Sequence, residues 1–144
     1  MASDFIPAPY FDGGEVLVVD DNELIRRIIR EQLQNVRLHT TVVEHGLAAL
    51  NAVRSRRDSG RPPFGLIFMD IHMPVMDGLQ ASAEIAKLET GSPIVAMTAD
   101  TRTFAEKPYT TFGMCGMISK PFVPQEIWRV LSLYFNPSSG CCVA

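Results

Sequence analysis

The feature that most constrains this chain is a recurring pair: a short apolar run that stops at a polar residue, then a helical pattern. Val16-Leu17-Val18-Val19 stops at Asp20-Asp21, and Leu24, Ile25, Ile28, Ile29 and Leu33 follow at helical spacing. Thr40-Thr41-Val42-Val43 is more polar and predicts a strand nearer an edge. Leu47, Ala49, Leu50 and Val53 predict the next helix, ending by Gly60-Arg61-Pro62-Pro63. Phe64 to Met69 predicts a buried strand that stops at Asp70, with a helix over 77–89. Ile94-Val95-Ala96-Met97 stops at Thr98. A weaker helix is expected over 104–112, where Pro108 is tolerable only in a first turn. Cys115 to Ser119 is a short fifth strand ending at Lys120. Pro124 suits the first position of a last helix, with Ile127, Val130, Leu131 and Tyr134 as its apolar stripe. Five such βα units imply a parallel sheet covered by helices on both faces, and right-handed crossovers leave only a few doubly wound orders.

At 144 residues the chain fits one domain, and it is long enough to bury a core without disulfides or metal staples. No apolar run is long enough to span a membrane, and the start Met1-Ala2-Ser3-Asp4 does not read as a secretory signal. A formal charge of −3 with no long basic run points away from nucleic acid as a partner. Three cysteines, two of them adjacent, make no disulfide framework and predict a reducing, cytoplasmic setting. Residues 1–14, with Pro7, Pro9, Gly13 and Gly14, read as an arm whose Phe5, Ile6, Tyr10 and Phe11 could pack on the body. Residues 15–135 read as the domain and 136–144 as a flexible tail.

The strand ends carry the chemistry. In an open α/β sheet, ligands bind beyond the carboxyl ends of the strands, where the strand order reverses. If the first and third strands are neighbours, Asp20, Asp21 and Asp70 converge there, and clustered carboxylates need a cation. All-oxygen ligation with open positions suits Mg²⁺. Thr98 and Lys120 supply a hydroxyl and an ammonium for phosphate oxygens, so the set reads as a phosphoryl-transfer site with a carboxylate nucleophile. Taken singly, each has a bland alternative: a helix cap for Asp20 or Asp21, a turn for Asp70, a turn hydroxyl for Thr98, a solvated amine for Lys120. Four coincidences at four strand ends favour the joint reading.

Val16 to Asn22, Leu66-Ile67-Phe68-Met69-Asp70-Ile71-His72-Met73-Pro74-Val75-Met76-Asp77-Gly78, Ile94 to Ala99 and Ser119-Lys120-Pro121-Phe122 together resemble the receiver domain of two-component response regulators, in its hybrid histidine kinase and phosphorelay form. The resemblance implies a flavodoxin-like (βα)5 sandwich with strand order 2-1-3-4-5. It implies Asp70 as phosphoacceptor, with Mg²⁺ held by Asp21, Asp70 and the backbone carbonyl of His72, and with Asp20 acting through a metal-bound water. Thr98 would bond a phosphoryl oxygen. Lys120 would pair with Asp70 and then with the phosphoryl group, Lys120-Pro121 would be cis, and the small Ala99 would leave room for a donor or a water. The implied partner is a sensor histidine kinase or histidine phosphotransfer protein that meets Asn22, Leu24 and Ile25. The implied output face is the fourth helix, fifth strand and fifth helix.

Several residues depart from that pattern or lie outside it. Met117 stands where the family often has an aromatic switch residue, and Gly116 where many relatives carry an acid. Thr101, Thr103, Pro108, Thr110 and Thr111 predict local irregularity over 100–112. His72 is either a modulator of phosphoryl loss or a plain loop histidine. Trp128 and Phe135 either pack under a neighbouring element or face a partner. Arg54, Arg56, Arg57 and Arg61 read as a solvated helix end that complements the dipole. Cys141-Cys142-Val143-Ala144 fits a prenylation pattern, with Cys141 as the acceptor and only marginal anchoring from one chain. Two other functions share the residue set. One is a haloacid-dehalogenase-type phosphatase, which wants an Asp-x-Asp pair where this chain has adjacent acids. The other is a pseudo-receiver that binds partners without being phosphorylated.

Overall fold

A computed structural model describes residue 11 and residues 14–73, 76–99, 104, 108–120 and 123–135. Pro121 and Cys141, and with them the expected cis peptide and lipidation site, lie outside the described residues, as do Phe5, Ile6 and Tyr10.

The elements alternate as the apolar runs predict: β1 (Glu15–Val19), α1 (Glu23–Asn35), β2 (His39–Val43), α2 (Gly46–Asp58), β3 (Leu66–Asp70), α3 (Gly78–Ala86), β4 (Ile94–Thr98), β5 (Gly116–Ser119) and α4 (Pro124–Tyr134). All pairings are parallel, in the order β2-β1-β3-β4-β5. The order reverses between β1 and β3, where Val19 lies opposite Met69, so the residues after both strands open onto one crevice. The more polar β2 is an edge strand, as its composition predicts.

Side chains alternate across each strand, so every strand feeds two cores. Val16, Val18, Leu66, Phe68, Val95, Met97 and Ile118 face α1 and α4, meeting Ile29, Leu33, Ile127 and Leu131. Leu17, Val19, Ile67, Met69, Ile94 and Ala96 face α2 and α3, meeting Ala49, Leu50, Ala81 and Ile85. With both sheet faces covered, the central strands carry almost no polar side chain until their last residue.

Phe11 is buried, its N–H donates to the Val36 carbonyl at 3.0 Å, and its ring meets Phe135 edge-on at 6.2 Å. Phe135 fits there because positions 14 and 65 are glycines, where a Cβ would stand 2.6 Å from the ring. Trp128 and Phe135 therefore pack on the core as partly buried residues and do not form an exposed patch.

Two expectations are corrected. Among the described residues of 104–112 there is no α-helix: Phe104 is in 3-10 conformation and a four-residue 3-10 turn runs over Tyr109–Phe112. Pro108 precedes it in extended backbone, Thr110 and Thr111 are weak helix formers, and Gly113 ends it at φ 81°. Phe104 meets Tyr109 edge-on at 6.0 Å and Phe112 at a tilt at 6.4 Å, and anchors it. Arg56 is the second correction. It is not a solvated helix end but is 9% exposed, with its guanidinium 2.5 Å from Glu15 and 3.9 Å above the Phe64 ring.

Candidate functional site

The crevice is built by helix starts and strand ends. The cap of α1 is neither aspartate. Asn22 Oδ1 accepts from the N–H groups of Leu24 (2.9 Å) and Ile25 (3.3 Å), which leaves both aspartates free of that duty. Asp20 is fully buried, and its Oδ1 accepts the Asn22 N–H at 2.9 Å. The Arg26 guanidinium reaches back one helical turn to the Asp20 carbonyl at 2.8 Å and fixes the β1–α1 connection. Sequence reading had no signal for Arg26 beyond its place on the first turns of a helix.

Asp70 ends β3 and is 4% exposed. Its Oδ1 accepts the His72 N–H at 3.2 Å, while the His72 residue itself is exposed. α3 starts hard against this strand end. A Cβ at Gly78 would run into the Asp70 carbonyl and Ile71 Cα, so only glycine allows the close approach. Asp77 caps α3 through Gln80 N–H at 2.8 Å, so the Asp-Gly pair of the motif is a helix start.

Carboxylate oxygens of Asp20, Asp21 and Asp70 lie within 4.8 Å of one another, with Asp21 exposed and the other two buried. Lys120 Nζ donates to Asp20 Oδ2 at 2.7 Å and stands 3.5 Å from Asp70 Oδ2. The lysine thus bridges both buried acids, and its nearer partner is Asp20. Thr98, fully buried, ends β4, and its carbonyl accepts the Lys120 N–H at 2.7 Å. Ala99 beside it is exposed, and Met117 on β5 is partly buried against the α2–α3 core.

Burial, then Asp20, and more weakly Asp21, push the Asp70 carboxyl from its ordinary 3.8 up to about 6; Lys120 and the His72 N–H pull the other way. One ammonium does not neutralise three carboxylates. A hard divalent cation with oxygen ligands fits this donor set, and Mg²⁺ is the expected cofactor.

Residues 16–132 match the response regulator receiver domain family. The chain belongs to that family. This receiver is 29% identical over 134 residues to the peroxide stress-activated histidine kinase mak3 of Schizosaccharomyces pombe, covering 89% of this chain and 6% of that protein. It is 37% identical over 116 residues to the transcription factor SKN7 of Chaetomium thermophilum, covering 81% and 15%. The receiver thus spans only a small part of these curated relatives. Among solved structures it resembles the receiver of sensor histidine kinase PA1611 from Pseudomonas aeruginosa, which has a magnesium ion in its active site cleft. That match has TM-score 0.74 and 31% identity, over 85% of this chain and 97% of that one. The Mg²⁺ complex of the CKI1 receiver from Arabidopsis thaliana matches with TM-score 0.75 and 29% identity, over 89% and 97%.

The function is therefore two-component phosphorelay signalling, by a module that acquires and loses a phosphoryl group and is not an independent turnover enzyme. The phosphatase alternative lapses with the family match. No helix among the described residues is long and apolar enough to cross a membrane.

Proposed function

We propose that Asp70 is the phosphoacceptor and that the donor is a phosphohistidine on a sensor kinase or phosphotransfer protein. In that step the P–N bond to the donor imidazole breaks as a P–O bond to Asp70 forms, and the imidazole leaves with the electron pair. The observation that carries this reading is the crowding of Asp20, Asp21, Asp70 and Lys120 at one rim. Asp21, Asp70 and the His72 carbonyl would hold Mg²⁺, which would supply charge neutralisation at the phosphoryl oxygens. Asp20 would act on the metal through water, since its two oxygens already accept from Asn22 N–H and Lys120. Thr98 and Lys120 receive the phosphoryl oxygens.

The donor docks on the apolar side chains around that rim. Leu24 and Ile28 on α1, Leu47 on the first turn of α2 and Val123 before α4 are 60, 40, 40 and 58% exposed. Leu24, Leu47 and Val123 stand at or just before helix starts on the strand-end side of the sheet, and Ile28 lies one turn further along α1. Output uses the face made by the Tyr109–Phe112 turn, β5 and α4, where Met117, Cys115 and Leu133 line a cavity of about 250 Å³. Met117 replaces a rotating ring with a flexible thioether there. The working compartment is the cytoplasm.

The test is intact mass after incubation with acetyl phosphate and Mg²⁺. One phosphoryl group per chain is expected, with none on Asp70→Asn. Labelling that persists in Asp70→Asn refutes the assignment.

A further inference from the structure

We propose that the pole of the sheet opposite the acid cluster is a binding cleft for a small organic anion, a carboxylate or phosphate-like group on an apolar body. This site does not depend on the phosphoacceptor reading.

The cleft, about 200 Å³, opens between the end of α2, the α2–β3 loop and the loop before β4. Val53, Pro63 and Phe64 give it an apolar lining, and Arg57, Arg61, Thr90 and Ser92 a polar one. Thr90 and Ser92 hydroxyls meet each other only at 3.4 Å, a long hydrogen bond that leaves donor capacity for a ligand.

Charge decides the sign of the ligand. The stretch 54–61 carries four arginines and one aspartate in a chain of net charge −3, and Glu15 is the carboxylate that reaches it from β1. Glu15 cannot satisfy two guanidiniums. Its Oε2 already takes Arg56 at 2.5 Å and the Thr41 hydroxyl at 2.7 Å. Its Oε1 stands 3.7 Å from Arg61, beyond hydrogen-bond length. Arg61 keeps 62% of its side chain exposed; Arg57, paired with adjacent Asp58 at 3.1 Å, keeps 44%. Arg57 spends its Nε and one terminal nitrogen on Asp58 Oδ1, so the Arg61 fork and the remaining terminal nitrogen of Arg57 are what an oxyanion beside the apolar wall would meet.

Rigidity argues for a site and not a loose charged surface. Arg56 is fixed from three sides, by Glu15, by the Phe64 ring beneath it and by the Pro62 carbonyl at 3.2 Å. It welds the end of α2 to the loop that carries Arg61. The cleft walls are therefore set before a ligand arrives.

The experiment is an amide-shift titration of the full chain with phenylphosphonate, in buffer containing EDTA. The carbon–phosphorus bond prevents phosphoryl transfer, and chelation keeps the acid cluster without metal. Saturable shifts are expected at Gly60, Arg61, Thr90 and Ser92, with Asn22 and His72 unmoved. Arg57→Gln combined with Arg61→Gln should weaken binding about tenfold or more while preserving the remaining spectrum, since both side chains are exposed. Methylphosphonate, which lacks the apolar body, should bind more weakly than phenylphosphonate. Absence of saturable shifts at these amides, shifts centred on Lys120, or unchanged affinity in the double variant would each overturn the proposal.

Discussion

Replacing Asp70 should make the metal-free protein more stable. Asp70 is 4% exposed, and its carboxyl is raised from 3.8 to about 6, first by burial and then by Asp20. The folded state therefore binds this proton more tightly than the unfolded chain. That contribution to stability is fully present below about pH 4 and is lost as pH rises through about 6. Near pH 7.5 the ionised Asp70 opposes folding by an upper bound of about 3 kcal/mol, two pKa units at about 1.4 kcal/mol each. Asp70→Asn removes the charge and keeps an oxygen to accept the His72 N–H. The attraction of Lys120 at 3.5 Å is already contained in that net shift, so the expected gain is up to about 3 kcal/mol. The assay is urea unfolding of both proteins in EDTA, followed by circular dichroism from about pH 4 to 7.5. The variant's advantage should grow with pH across the window between 3.8 and about 6 and then level off. Saturating Mg²⁺ should stabilise the parent through linkage and stabilise the variant much less. A variant no more stable than its parent near pH 7.5, or an advantage independent of pH, would refute the account of clustered, undercompensated carboxylates.

Other perturbations test the scaffold. Arg56→Met should cost about 2–3 kcal/mol by urea unfolding, because Glu15 is left partly buried with a lost partner; adding Glu15→Gln should recover part of that loss. Burial alone would raise the Glu15 carboxyl, but the Arg56 and Thr41 hydrogen bonds hold it below its ordinary 4.5. The contribution of the pair should accordingly fade as pH falls through that lowered range, and a loss independent of pH would contradict it. Gly78→Ala forces a Cβ into the Asp70 carbonyl, and about 2–3 kcal/mol of lost stability together with slower acetyl phosphate labelling is expected. His45 caps α2 through Nδ1, which accepts the Ala48 N–H at 3.1 Å, so His45→Ala should lower stability by about 1 kcal/mol and His45→Asp should restore it in thermal melts.

What the sequence made legible follows from how each interaction is encoded. Strand positions were readable because a strand covered on both faces is apolar along its length, and the polar residue that ends it marks the site side. Asp20, Asp70, Thr98 and Lys120 were found in that way. Which aspartate Lys120 prefers was not readable. The bond to Asp20 spans 100 residues and depends on the depth of each carboxylate in the crevice. Arg56 was misread for the same reason. On a helix end rich in arginine, burial depends on Glu15, 41 residues away, and on a phenylalanine ring beneath, neither of which leaves a periodic trace. The helix expected over 104–112 failed for a local reason. Phe104 meets Tyr109 edge-on and Phe112 at a tilt around a 3-10 turn, contacts that need no α-helical spacing.

β1 joins the two ends of this molecule. Its first residue, Glu15, holds Arg56 at the basic pole, and the residue after its last, Asp20, holds Lys120 at the acidic pole. Between them lie four fully buried apolar residues. At about 3.3 Å per residue, the backbones of Glu15 and Asp20 sit roughly 17 Å apart. That exceeds the Debye length of about 8 Å at physiological ionic strength, so the charges at one pole scarcely act on the other through solvent. A change at the basic cleft can reach Asp70 only through packing, along strands whose side chains leave no slack. The short route is through α2: its end carries Arg56, and its start, Gly46, packs on the Met76 carbonyl in the loop after Asp70. A rigid two-ended helix, not electrostatics, is the element able to couple the two poles.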